Sequence, residues 1–394
     1  MQIQIQCCGI VLMMVLFYFY IRQKRIALKT QWAFLGVYGA TFACILLDVF
    51  SIGVIEYRHV LSETFARFVA KTYLVSLLGV ALSALSYMCV DIYAKQEVYR
   101  RQMRKYLVLT AAGVLGTYAA PLYYQYSADG TKVDYTYGPS VYVTYGVALL
   151  FFVRIFYLLR KEKAKINPRR REAVCIWLLV WIVASQIQFM YTDILIVGYA
   201  GSIGIMVLYL KLENPETNLD RNTGLFNSGA LYQYAKQFYV KEQDFPVLVL
   251  LFGNSAYQNV QMEKRALAWM DIIEYLLKIP DALVFKNAED EYFVLFADFD
   301  TAEEGVQRLR NRFRLGWGEN DASMVHPYWL YLPHANVVDS VENLLYFIRY
   351  VRQNAMTFSE TDFLRIEKDR VEQMDRERET EQLIMEAIEY DRVE

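Results

Sequence analysis

Seven stretches of 18 to 25 predominantly apolar residues occupy the first 211 positions of this 394-residue chain, and nothing else in the sequence limits its fold so severely. About 20 such residues are what an α-helix needs to cross the hydrocarbon core of a bilayer. The stretches run over 3–21, 32–54, 69–93, 106–124, 141–159, 173–191 and 194–211. Only Tyr191, Thr192 and Asp193 separate the last two, so six spans is the alternative count. In lipid a backbone must satisfy its own hydrogen bonds, which makes a helical bundle the expected architecture of residues 1–212.

Charge divides the chain at the same place. Residues 1–212 carry 22 Lys and Arg against 10 Asp and Glu, whereas 213–394 carry 19 against 33, so the formal net charge of −2 conceals +12 followed by −14. This excludes a single soluble domain, and it leaves no basic soluble face for nucleic acid. The basic residues gather in alternate loops: Arg22, Lys24, Arg25 and Lys29 after the first span, Lys95 to Lys105 after the third, and seven between Arg160 and Arg171 after the fifth. The positive-inside rule then sets the N-terminus outside and everything from residue 213 in the cytoplasm. No positive charge precedes the first apolar run, so it reads as a retained anchor in contact with membrane lipid rather than a cleaved signal.

Cys7, Cys8, Cys44, Cys89 and Cys175 all lie in apolar stretches and read as small buried hydrophobes. With only three histidines, scattered along the chain, no imidazole metal site is expected and no resident cofactor is implied. Ionisable residues at membrane depth are costly and therefore informative. Asp48, inside the second span, and Lys71, near the outer start of the third, could pair across an outward-facing chamber with Gln186 and Gln188, a candidate sensor pocket for an unidentified ligand. The competing reading has Asp48 and Lys71 reach the interface separately and the glutamines bond neighbouring helices.

After Lys211 the character changes, with Glu213, Asn214, Pro215 and Glu216 forming a short polar connection. Periodicity predicts a helix over 226–241, a buried strand over Val247–Phe252, a helix over 260–278, a hairpin of strands 283–286 and 292–297, a helix over 302–314, a strand near 325–332 and a helix over 339–354. After the first helix this order is βαββαβ, expected as a ferredoxin-like sheet with helices on one face. A charge-dense connector helix is expected over 361–390. The domains are thus 1–212, 213–360 and 361–394.

Within the second of these, Asp220, Thr223, Gly224, Leu225 and Asn227 reproduce most of the D-x-L-T-G-L-x-N-R opening of GGDEF domains, with Asn222 and Ser228 departing from it. Ala288-Glu289-Asp290-Glu291-Tyr292 stands in the hairpin where that family carries Gly-Gly-Asp/Glu-Glu-Phe. The segment 215–360 therefore resembles the diguanylate cyclase family, and Glu381 to Glu394 resembles the approach to an EAL phosphodiesterase domain. The resemblance implies a bacterial plasma-membrane protein of cyclic di-GMP signalling, assembled as a homodimer. It also implies a degenerate site. The strand that should end in a metal-binding aspartate offers Leu251 and Gly253, Ala288 and Glu289 fill the space the glycines leave for phosphate, and Ala268 replaces a base-contacting aspartate. Asn259, Asp290 and Glu291 remain as candidate nucleotide-binding residues for weak GTP or Mg²⁺ binding, while Lys278 and Asp281 loosely echo the family's product-inhibition motif. The expected function is a receptor that relays through a non-catalytic GGDEF module; the alternatives are an active diguanylate cyclase and a transporter with a regulatory tail.

Overall fold

The computed structural model describes residues 3–23, 26, 28–58, 60–93, 96–126, 133–163, 166–191, 196–253, 256, 260–318, 323–354, 363–369, 371–373, 376 and 380. The chain divides into two compact units, Met1–Thr217 and Asn218–Glu394, a few residues beyond the break at 212 that charge and hydropathy suggest. Most elements are helices, and a mixed sheet lies in the second unit.

The first unit contains α1 (Gln4–Arg22), α2 (Lys29–Glu56), α3 (Glu63–Ile92), α4 (Gln96–Ala119), α5 (Pro139–Lys161), α6 (Pro168–Met190) and α7 (Val197–Leu208), the last continuing into a π-turn at Tyr209–Glu213. Five of these, α1, α2, α3, α5 and α6, are long and apolar enough to cross a membrane. Helix α4 begins ten residues before the expected span and ends at Ala119, ahead of Pro121, which has no N–H to continue the ladder. Tyr123 and Tyr124, read as the end of a span, instead open β1 (Tyr123–Tyr126), which pairs antiparallel with β2 (Val133–Tyr137). Helix α7 packs closely enough on α6 that a Cβ at Gly204 would lie 1.6 Å from the Trp177 ring, so only glycine fits there. Of the cysteines only Cys44 and Cys89 are buried; Cys7, Cys8 and Cys175 sit on outward helix faces. The outward face of a helix in lipid is itself apolar, so apolar context did not distinguish inside from outside.

In the second unit β3 (Phe226–Asn227), β4 (Val247–Leu251), β5 (Ala282–Ala288), β6 (Glu291–Phe296), β7 (Tyr328–Leu332) and β8 (Phe363–Arg365) form one sheet in the order β3-β5-β6-β4-β7-β8. The four inner strands pair antiparallel with one another, and the two outermost pairings are parallel. The helices are α8 (Ser228–Val240), α9 (Met262–Leu277), α10 (Phe299–Phe313) and α11 (Val341–Asn354).

The expectation of helices on one face holds for α9 and α10, the two helices within the βαββαβ order, and is corrected for α8 and α11. Leu248, Leu250, Val294 and Tyr331 face a core shared with Ile272 and Leu276 of α9 and Val306 and Leu309 of α10. On the opposite face Tyr234 of α8 stacks on Phe285 at 5.8 Å, and the Tyr232 hydroxyl donates to Glu342 of α11. Strand β4, Val-Leu-Val-Leu-Leu, is buried at all five positions. Such a continuously apolar strand needs cover on both sides, which α8 and α11 supply. The connector helix expected over 361–390 is corrected at its start, where Phe363–Arg365 is β8, parallel to β7; the described residues at 368–369, 371–373, 376 and 380 are helical. Residues 381–394, the approach to an EAL domain, lie outside the described residues.

Candidate functional site

The β5–β6 hairpin turns in two residues: Ala288 pairs with Glu291, and Glu289 and Asp290 form the tip. The turn is fastened to the end of β4, where the Phe252 amide donates to the Asp290 carbonyl at 2.7 Å. Tyr292, fully buried, donates its hydroxyl to the Glu289 carbonyl at 3.2 Å and packs edge-on against Phe252 and Trp269. An aromatic residue at 292 therefore anchors the turn from beneath.

All three carboxylates of the turn are engaged. Lys286 Nζ lies 2.9 and 3.0 Å from the two Glu289 oxygens and 3.6 Å from Asp220 Oδ2. Arg352 of α11 reaches Asp290 Oδ2 at 2.6 Å and Glu291 Oε2 at 3.5 Å, and Asn287 Nδ2 donates to Glu291 Oε1 at 2.6 Å. Lys286 is buried directly after the apolar run Ala282–Phe285 of β5, where a cation requires such partners. A divalent cation brought to this turn would have to compete with Arg352 for Asp290 and Glu291.

The loop ahead of α8 is built by the residues that carry the sequence resemblance. Asp220 Oδ1 accepts from the Thr223 amide at 3.0 Å and hydroxyl at 2.8 Å, Gly224 takes φ +68°, and the Asp220 amide donates to the Leu225 carbonyl at 2.7 Å. Asn227 caps α8 through the Ala230 amide. Partial burial of the Asp220 carboxyl works against ionisation, but the Thr223 hydroxyl and amide, with the Lys286 charge, hold it below the usual carboxylate range. Each motif residue thus has a local structural task, and Lys286 bonds this loop to the hairpin.

Asn259 lies outside the described residues. Ala268 is fully buried in the α9 core, Lys278 pairs with Glu274 one turn earlier on the same helix, and the Asp281 carbonyl accepts from Ala297. Lys278 and Asp281 border a depression of about 160 Å³ with Tyr275 and Arg308. Sequence reasoning did not identify Lys286, Asn287 or Arg352. A lysine ending an apolar strand run was the available signal for the first; Arg352, some sixty residues from its partners, gave none.

In the first unit Asp48 and Lys71 are not brought together. Asp48 is buried and accepts from Gln6 Nε2 at 3.4 Å, with the Tyr73 hydroxyl a further partner and Gly198 of α7 against its Oδ2. Lys71 instead donates to the Tyr118 and Ala120 carbonyls at 2.8 and 2.6 Å, closing the C-terminus of α4. Gln188 accepts from the Ile196 and Val197 amides at the start of α7, and Gln186 is exposed. A different buried charge cluster was overlooked in the sequence: Tyr87 donates to Glu213 at 2.6 Å, Arg170 lies 3.7 Å from the same oxygen, and its guanidinium sits 4.6 Å over the Tyr87 ring.

Neither a family model nor a curated protein matches the chain.

Proposed function

We propose that the chain is a membrane-bound receptor of bacterial cyclic di-GMP signalling, in which seven membrane helices sense a ligand and a degenerate GGDEF-type module relays the signal without turning over GTP. In this reading the output is an EAL phosphodiesterase domain beyond the sequence given. The observation that carries the reading is the Ala288–Tyr292 turn. It joins the second and third strands of a βαββαβ core, the place of the family's signature, and Arg352 and Asn287 engage Asp290 and Glu291, the carboxylates that a cyclase would offer to metal. Support also comes from Leu251, which pairs with Glu291 at the strand end where the family carries an acidic ligand. Metal-assisted phosphoryl transfer needs carboxylates free to bind two cations, and here they neutralise protein cations instead.

The test is turnover. Full-length protein in detergent, given GTP with Mg²⁺ or Mn²⁺, is expected to form no cyclic di-GMP by mass spectrometry. Product above the enzyme-free blank would overturn the reading in favour of an active diguanylate cyclase.

A further inference from the structure

A cleft of about 400 Å³ opens in the first unit between the start of α2, the end of α3 and the start of α4. Its volume lies within the range of roughly 300–1,000 Å³ usual for small-molecule sites. The depth exists because facing positions are small: Ala33 and Gly36 on α2 oppose Ser83 and Ser86 on α3, and a Cβ built on Gly36 would meet nothing within 4 Å. One wall is fixed, since the Tyr99 and Ser86 hydroxyls lie 2.6 Å apart in a hydrogen bond.

The lining is graded along the cleft. Lys29 opens α2, Tyr93 closes α3 and Gln96 opens α4 where three helices end, while the deeper hydroxyls are already paired, Ser83 with the Val80 carbonyl and Ser86 with Tyr99. Two of these ends are N-termini, whose aligned dipoles favour an anion, against the one C-terminus of α3, whose pole has the opposite sign. From there the cleft runs inward past Ala33 to Gly36, about two turns of helix or ~10 Å at 1.5 Å per residue. Trp32, 73 % exposed, stands at the mouth, at the level where indole rings favour a membrane interface.

We infer that this cleft binds one anionic phospholipid of the cytoplasmic leaflet, its phosphate at Lys29, Tyr93 and Gln96 and an acyl chain over Ala33 and Gly36. A charged end joined to an apolar tail matches the grading of the lining, and cationic pockets between helices on the cytoplasmic side suit anionic headgroups. The inference rests on the membrane orientation proposed above and on no part of the cyclic di-GMP reading.

The experiment titrates the full chain in detergent with phosphatidylglycerol or phosphatidylcholine carrying brominated acyl chains. Quenching at Trp32 is isolated as the difference between the native protein and Trp32→Phe. Phosphatidylglycerol should quench at about fivefold lower mole fraction, the preference one lysine near a membrane surface confers. Lys29→Gln should abolish that preference while both lipids still quench, and Gly36→Leu, whose side chain enters open space, should weaken quenching by both. Equal quenching by the two headgroups in the native protein, an undiminished preference in Lys29→Gln, or displacement by excess inorganic phosphate would each overturn the lipid site while leaving the membrane placement intact. Absence of Trp32 quenching by either lipid would overturn the membrane placement of this cleft and the site with it.

Discussion

Substituting Glu213 should unfold the first unit far more readily than any exposed change, and the magnitude follows from its surroundings. The side chains of Arg170 and Glu213 are only 7 % and 3 % exposed, with 3.7 Å between guanidinium nitrogen and carboxylate oxygen. At an effective dielectric of about 20 that separation corresponds to about 4.5 kcal/mol of attraction. Removing one member of a buried pair generally costs about 3–5 kcal/mol, because the desolvated partner loses its compensating charge. Glu213→Ala also removes the acceptor of the Tyr87 hydroxyl. A folded unit of about 200 residues loses roughly 2–4 °C in Tm per kcal/mol, so Glu213→Ala should lower the melting of Met1–Thr217 by about 10 °C. The assay is thermal unfolding of the full chain in detergent, following Trp177 and Trp181. Arg170→Met combined with Glu213→Gln should recover at least half of the loss, since it removes both charges and keeps an acceptor for Tyr87. A Glu213→Ala protein melting within about 2 °C of the native one, or a double variant no better than the sum of the singles, would refute the reasoning.

Two further outcomes are expected. A reporter active only in the cytoplasm should work when fused after residue 165 or 215 and fail when fused at residue 130; activity at 130 would overturn the orientation taken from the basic loops. Asp220, whose folded-state pKa is depressed, contributes stability that is present above the ordinary carboxylate pKa of about 3.9 and is lost as pH falls through its folded value. The stability difference between native protein and Asp220→Asn, read by denaturant unfolding followed at Trp269 and Trp317, should therefore be full near pH 7 and shrink below about pH 4. A difference constant from neutral to acid would show that the Asp220 charge is not what holds the loop.

How much of this was legible in the sequence depended on the range of the interactions involved. Helix existence in the first unit was legible because bilayer thickness sets a length, and side-chain hydropathy reports it without knowledge of any partner. The β1–β2 hairpin was not, because its tyrosines resemble an interfacial belt, and its boundaries are set by Pro121 and by Gly138 at φ +121° rather than by hydropathy. The succession of strands and helices from β4 to α11 followed from alternation of their patterns, whereas β3, Phe226–Asn227, fell inside the helix expected over 226–241. Strand β8 escaped notice because three residues carry no periodicity; it forms by pairing with the edge that β7 would otherwise leave open.

The Ala288–Tyr292 turn shows where such reading fails for a site. Of the three acidic residues in succession, Glu289, Asp290 and Glu291, the last two look in sequence like ligands for a nucleotide or its Mg²⁺, because residue type and spacing are all that a motif records. Their chemistry depends on which cations meet them. Lys286 arrives from three residues away and Arg352 from a helix at the far end of the domain. The Lys286 contact is local and could be inferred from the cost of a lone buried ammonium. The Arg352 contact depends on α11 crossing the face of the sheet opposite α9 and α10, the face that the one-sided sheet expected from the sequence left bare. Misplacing that helix and missing that arginine are therefore one error. Corrected, it turns Asp290 and Glu291 from free ligands into partners of a fixed guanidinium.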